Sequence, residues 1–281
     1  MLFPEHIGEY LSIDEVALSQ GELYTFLTNK KGKGKNGTLV ASIKGTKSKD
    51  IIEVLEKIPL ESRNKVVEVT LDMARNMESA IKASFPSASL VTDRFHVVKL
   101  ALEALQHIRV KLRWEALDKE NEAIAKAKKE GIKYIGTTFE NGDSPKQLLA
   151  RCRYILAKEQ SKWTENQEIR AEILFREYPI LKQAYNHIME FRNIYEQSYY
   201  NEAKVKIEAW IEKSLNQEIK EFYSVANSVK YNKDNILNFF INRNTNANAE
   251  SFNSKIKLFR ANLRGVRDTT FFLFRLHKLF A

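Results

Sequence analysis

The chain has little of the residues that cross-link or punctuate a fold. Its 281 residues include one cysteine, Cys152, which permits neither an internal disulfide framework nor a cysteine-rich zinc ribbon. Ten glycines and five prolines are too few for a collagen-like or low-complexity chain. No apolar run approaches the roughly 20 residues that span a bilayer. The first five residues, MLFPE, lack a basic stretch followed by an apolar one, which argues against secretion. These absences lead to the expectation of a soluble, cytoplasmic protein. Charge, by contrast, is plentiful. There are 45 Lys and Arg against 36 Asp and Glu, a formal net charge of +9, with 43% hydrophobic residues and a mean hydropathy of −0.42. A chain of this length buries a substantial core as one large domain or two smaller ones. The cationic surplus fits a polyanionic partner such as nucleic acid, and it also fits mere solubility.

Residues 1–95 read as α/β. Strands are expected over 10–18, 22–28 and 38–44, the last two joined by the turn-forming segment NKKGKGKNG. A helix opened by Ser48 carries Ile51, Ile52, Leu55 and Ile58 at helical spacing and is stopped by Pro59. A Val-rich strand over 65–71, a helix from about Arg75 to Phe85 stopped by Pro86, and a strand over 88–92 complete the region. Three meandering strands followed by helix, strand, helix, strand is the order of an RNase-H-like sheet. From 96 to 245 the periodicity is helical. One or two long helices are expected over 97–128, a loop over 129–144, and about four helices over 145–240. Trp114, Trp163 and Trp210 read as core aromatics. A last helical segment from about Ala247 carries Phe252, Ile256, Phe259 and Leu263 as one stripe. Its other side carries Glu250, Asn253, Lys257, Arg260 and Arg264.

Two carboxylates stand at strand positions of interest. Asp14 lies within the first strand, and Asp72 directly follows the fourth, at the sheet edge where α/β folds gather ligands. In an RNase-H-like order those strands are parallel neighbours, so the two side chains can approach. Paired carboxylates are costly without a proton or cation between them, and Mg²⁺ prefers such hard oxygen ligands. The structural alternative makes Asp72 a helix N-cap and Asp14 a solvated strand residue. Asp93 and His96 place an acid and an imidazole beyond the fifth strand, as a metal site, an orienting pair or a cap. His6, His107, His187 and His277 show no ligand spacing. Between Thr28 and Lys49 lie seven lysines and no acid. Lys31, Lys33 and Lys35 there either contact a DNA backbone or blunt a sheet edge.

Taken together, Ile13-Asp14-Glu15, Leu71-Asp72-Met73, the segment 92–98 (TDRFHVV) and the segment 248–257 (NAESFNSKIK) resemble the DDE transposases of the ISL-three insertion-sequence family. The resemblance covers essentially the whole chain, and the segments 93–99 and 248–257 are its specific parts. It implies an RNase-H-like, retroviral-integrase-like core, 1–110 plus 246–281, interrupted by an all-helical insertion over 111–245. It implies Asp14, Asp72 and Glu250 as catalytic, metal-holding acids for two Mg²⁺ or Mn²⁺ ions, with Asp93 and His96 as an accessory pair. Asp93 is the alternative second acid; Asp72 is preferred because the fourth strand is central and adjoins the first. Asn253, Lys257, Arg260 and Arg264 join the three lysines as DNA-binding candidates.

The implied activity is metal-dependent cleavage and strand transfer of double-stranded DNA, by a dimer on DNA. Such transposases usually carry a zinc-binding segment and a helix-turn-helix ahead of the first acid. Only 13 residues precede Asp14, so either a fragment or a separate end-recognition polypeptide is expected. The family's usual glycine beside the third acid is absent, and Ala249 and Phe252 flank the place where it is common. A catalytically silent DNA-binding remnant and an RNase-H-like nuclease are the alternative functions.

Overall fold

The structure is a computed structural model describing all residues except 19–20, 244–246 and 267; the side chains of 197 and 247–250 are likewise outside the description. The chain divides into two compact units, Met1–Val97 with Tyr231–Ala281, and Val98–Lys230. The sequence expectation set the divisions at 110/111 and 245/246. The second moves because the helix Lys233–Asn242 packs on the fifth strand, and so belongs with the sheet. Among the described residues no helix is long and apolar enough to cross a membrane.

The first unit is mixed α/β around a five-stranded sheet of order β3-β2-β1-β4-β5. The strands are β1 (Tyr10–Ala17), β2 (Leu23–Asn29), β3 (Leu39–Lys44), β4 (Glu68–Leu71) and β5 (Ser89–Thr92). β1 to β3 form an antiparallel meander, whereas β4 runs parallel to both β1 and β5. Helices α1 (Ser48–Leu55), α2 (Leu60–Arg63) and α3 (Arg75–Ser84) connect the later strands. Pro59 and Pro86 follow α1 and α3, where a missing amide and a restricted preceding residue end helices.

Pleat alternation sorts the strand residues between two cores. Leu11, Ile13, Val69 and Leu71 pack with Ile51 and Leu55 of α1 and Met77, Ala80 and Ile81 of α3. On the other face Val16, Tyr24 and Phe26 pack with Phe252 and Ile256 of α11 (Ala247–Asn262) and with Phe272 and Leu276 of α12 (Thr269–Phe280). Asp268 starts α12, its carboxylate accepting from the Phe271 amide at 3.0 Å. Of the expected apolar stripe on α11, Phe252 and Ile256 are buried, while Leu263, beyond the last helical residue, is 37% exposed.

The second unit is helical. One helix, α4 (Arg94–Lys129), begins in the first unit and covers the region expected to hold one or two. Residues 145–242 form six helices rather than about four: α5 (Pro145–Arg151), α6 (Glu165–Glu177), α7 (Pro179–Gln197), α8 (Tyr200–Asn216), α9 (Glu221–Tyr231) and, in the first unit, α10 (Lys233–Asn242). The additional starts have local causes. Capping boxes pair Ser144 with Gln147 and Thr164 with Gln167, and Pro179 opens α7 where α6 ends at Glu177. The loop ahead of α5 is fixed by fully buried Asp143, which pairs with Arg151 and, at 2.9 Å, with Arg170. Trp210 is buried and stacks on His187 at 4.7 Å, and Trp163 is half-buried. Trp114 corrects the expectation of a core aromatic, because it sits 58% exposed on α4.

Two buried histidines give the fold a pH dependence. His187 meets the Ser214 hydroxyl at 2.7 Å and His277 meets that of Ser42 at 2.8 Å. Burial pushes both imidazoles down to about 4. The folded chain thus keeps them neutral, while an unfolded histidine takes up a proton near 6.5. The associated stability is complete above pH ~6.5 and is lost as pH falls from there towards 4, on the order of 1–3 kcal/mol per histidine. We expect the melting temperature to fall over that interval, and His187→Gln and His277→Gln each to flatten the fall. Circular-dichroism melts between pH 4.5 and 7 check this; an unchanged slope in both variants would contradict it.

Candidate active site

The register of the sheet brings the two strand acids together. Ser12 of β1 lies beside Thr70 of β4, so two further residues along these parallel strands place Asp14 beside Asp72. Asp14 shares the sheet face of Ser12 and Val16, towards α11. The Phe252 ring meets the edge of Phe26, which is opposite Asp14 in the β1–β2 register, at 6.1 Å. This contact seats α11 so that Asn253 Nδ2 donates to Asp14 Oδ2 at 2.5 Å. The Glu15 amide donates to the other oxygen, Oδ1, at 2.8 Å. Each oxygen retains acceptor capacity beyond these bonds.

The electrostatics report the same proximity. Burial pushes the Asp14 carboxyl above the usual carboxylate range and repulsion from Asp72 adds to this, against the Glu15 amide, His96 and Asn253, which favour the charged form. Glu15 is likewise raised, by burial and then by Asp72 and Asp14. Asp72 Oδ1 accepts from the Ala74 amide at 2.8 Å, a turn contact that precedes α3 and leaves Ala74, not Asp72, at the N-cap of that helix.

Asp93 is 2% exposed and bonds to His96 Nδ1 at 3.1 Å. That bond, more than the charges of Asp14 and Asp72, raises the affinity of His96 for a proton, and burial opposes it. The bond thereby holds the His96 ring where the charges of Asp14 and Asp72 also act on it. Under the same sheet face lies a group that the residue pattern did not reveal. Lys30 is buried, with Nζ 2.9 Å from Glu68 Oε1 and bonded to the Thr70 hydroxyl. Its affinity for a proton is lowered by burial and raised by Glu68 and Asp93. The signal available was Glu68 and Thr70 alternating with Val69 and Leu71 in a strand buried on both faces.

The expected DNA contacts separate. Lys33 and Lys35 are exposed. Lys31 is exposed but lies 3.2 Å from Glu9, and Lys44 lies 2.7 Å from Glu22, so the acid-free segment meets acids from elsewhere in the chain. Asn253 faces Asp14 instead of open solvent. Lys257 is exposed and Arg260 donates to the Ala17 carbonyl at 3.3 Å. Arg264 does not extend the α11 face, because the helix ends at Asn262 and Arg264 takes a left-handed backbone with φ of 54°. Lys255, not singled out from the sequence, donates to the Gly34 carbonyl at 2.7 Å and ties α11 to the β2–β3 connection. Glu250 lies in α11 three residues before Asn253, and its side chain is outside the described residues. Among the described residues, no three His, Cys, Asp or Glu side chains form a group that could hold a metal ion.

A family model described as Transposase, of the DDE type named for ISL3 (ISL-three), matches residues 11–276. The chain belongs to the ISL3 family of DDE transposases. The transposase for insertion sequence element IS1001 of Bordetella parapertussis is 23% identical over 275 residues, 97% of this chain and 61% of that protein. The ISL3-family chain therefore spans about three-fifths of the length of that relative. DDE transposases generally use divalent metal ions. The donor chemistry here suits them, since Asp14 and Asp72 offer hard oxygens whose mutual repulsion a cation relieves.

Proposed function

We propose that this chain is the catalytic part of an insertion-sequence transposase that cleaves DNA strands and joins them to a target. The observation that carries the reading is the Asp14–Asp72 pair, Asp14 within β1 and Asp72 just past the end of the adjacent parallel β4, with α11 fastened to Asp14 through Asn253. In this reading the sheet unit is an RNase-H-like core, and the second unit is an all-helical insertion ahead of the last acid. Glu250, which precedes Asn253 by three residues in the sequence, would supply the third carboxylate.

Asp14, Asp72 and Glu250 would hold two Mg²⁺ or Mn²⁺ ions. When bound, such ions polarise a phosphoryl oxygen, acidify a water and stabilise the leaving oxygen of an in-line displacement. The protein orients these donors. Asn253 and the Glu15 amide fix both oxygens of Asp14, and the Ala74 amide fixes one of Asp72. Asp93 holds His96 by Nδ1, beside the acids. Lys33, Lys35, Lys257 and Arg264 contact the duplex backbone without reading bases. Two copies, acting with an end-recognition polypeptide, bring two DNA ends together.

The test is strand cleavage and strand transfer on DNA carrying the inverted ends of the element, with and without Mg²⁺ or Mn²⁺. Asp14→Asn, Asp72→Asn and Glu250→Gln should each abolish both reactions. Asp93→Asn, acting through His96, should only weaken them. If Asp93→Asn abolishes both reactions as Asp14→Asn does and Asp72→Asn retains them, Asp93 is the second acid. Cleavage without joining points to a nuclease, and salt-dependent DNA binding with no metal-dependent reaction to a silent remnant.

A further inference from the structure

The helical unit carries a concentration of cations that the catalytic reading does not use. Two acid-free stretches supply it, residues 104–114 of α4 and residues 144–158 around α5. Arg109 of α4 is 6% exposed, and its Nη1 donates to the Leu149 carbonyl at 2.8 Å. Its Nε donates to Gln106 at 2.6 Å, and Gln106 in turn donates to the Arg153 carbonyl at 3.1 Å. These bonds fasten α4 to α5 and to the residues just past it, setting the Arg153 backbone beside the Arg109 side chain, and Arg113 follows Arg109 one helical turn further along α4. Burial lowers the proton affinity of Arg109, and the charges of Arg153 and Arg113 lower it further.

The neighbouring acid is already committed, because Asp143 pairs with Arg151 and Arg170. Among the described residues no carboxylate pairs with Arg109, Arg113 or Arg153. Arg113 and Arg153 are exposed, and the Arg153 guanidinium lies 5.4 Å from the centroid of the exposed Tyr154 ring. An unneutralised cluster costs self-repulsion, which a polyanion relieves. Guanidinium forks match phosphate oxygens in geometry as well as charge.

We propose that Arg109, Arg113 and Arg153 form a second duplex-DNA contact surface, on the helical unit, that grips phosphates without reading sequence. This rests on the reading of the chain as a DNA-acting protein. Arg109 is the buried, fixed cation, and Arg113 and Arg153 reach the backbone.

Fluorescence anisotropy of the full chain with a labelled duplex, without divalent ions, tests it over a salt series. Arg113→Ala/Arg153→Ala should reduce the slope of log affinity against log salt by about 2, and weaken binding roughly 10- to 50-fold at about 0.1 M salt. Arg113→Lys/Arg153→Lys should keep most of the slope. If the alanine pair fails to fold, Arg113→Gln alone should lower the slope by about 1. A folded alanine pair with the wild-type slope overturns the surface alone. Preference for single-stranded RNA over duplex DNA also overturns it. A wild-type chain without salt-dependent duplex binding overturns both the surface and the DNA reading beneath it.

Discussion

Asp14→Asn should eliminate DNA cleavage while raising the melting temperature of the chain measured without divalent ions. The two effects have one cause. Asp14 is partly buried, and its charged form is disfavoured first by burial and then by Asp72. A carboxyl whose folded pKa is raised loses stability as pH rises through that value, so the ionised pair costs folding free energy at neutral pH. Asparagine removes the charge and keeps the shape. Its amide still meets the Glu15 N–H and, after a flip of the Asn253 amide, still pairs with residue 253. The expected gain is about 1–3 °C. Cleavage should fall at least about 10³-fold, equivalent to about 4 kcal/mol in the barrier, because the charge that repels Asp72 is the one that binds cations. Millimolar Mg²⁺ should stabilise the wild-type chain by mass action and leave Asp14→Asn nearly unmoved. Parallel melting curves and cleavage rates check this. Cleavage retained within tenfold, or lost only together with the fold, would sink the assignment.

Much of this site was legible because strands and short motifs carry local signals. The alternation of Leu11 and Ile13 with Ser12 and Asp14 marks β1, and the Val-rich run before Asp72 marks β4. The order of elements then makes those strands neighbours, and the observed register sets Ser12 beside Thr70. What was not legible depends on partners far along the chain. Asn253 sits on a polar helix face, where DNA contact and a bond to Asp14 leave the same sequence trace; only the seating of Phe252 on Phe26 decides between them. The exposure of Trp114 is a similar case, since helical periodicity does not say whether a long helix is covered along its whole length. Capping boxes at Ser144 and Thr164 were readable in principle, and each divides a region that periodicity alone runs together.

Lys30 is the sharpest of these cases and yields the second large effect. In the sequence it is one of seven lysines in an acid-free run, and charge counting assigns it to solvent or phosphate. In the fold it follows β2, where its side chain enters the sheet face of Ser12 and Thr28 and meets Glu68 and Thr70. Lys30→Met would leave the Glu68 carboxylate, 2% exposed, without its ammonium, and should cost about 3–5 kcal/mol, the range for breaking one side of a buried pair. The melting temperature should fall by roughly 6–20 °C. Lys30→Met/Glu68→Leu removes both charges and should recover most of that loss, because buried pairs repay little more than their desolvation. The difference between the double variant and the sum of the singles measures the coupling. A solvated or DNA-contacting lysine predicts the opposite pattern: an unchanged melt, a smaller salt dependence of DNA binding, and no recovery by the second substitution.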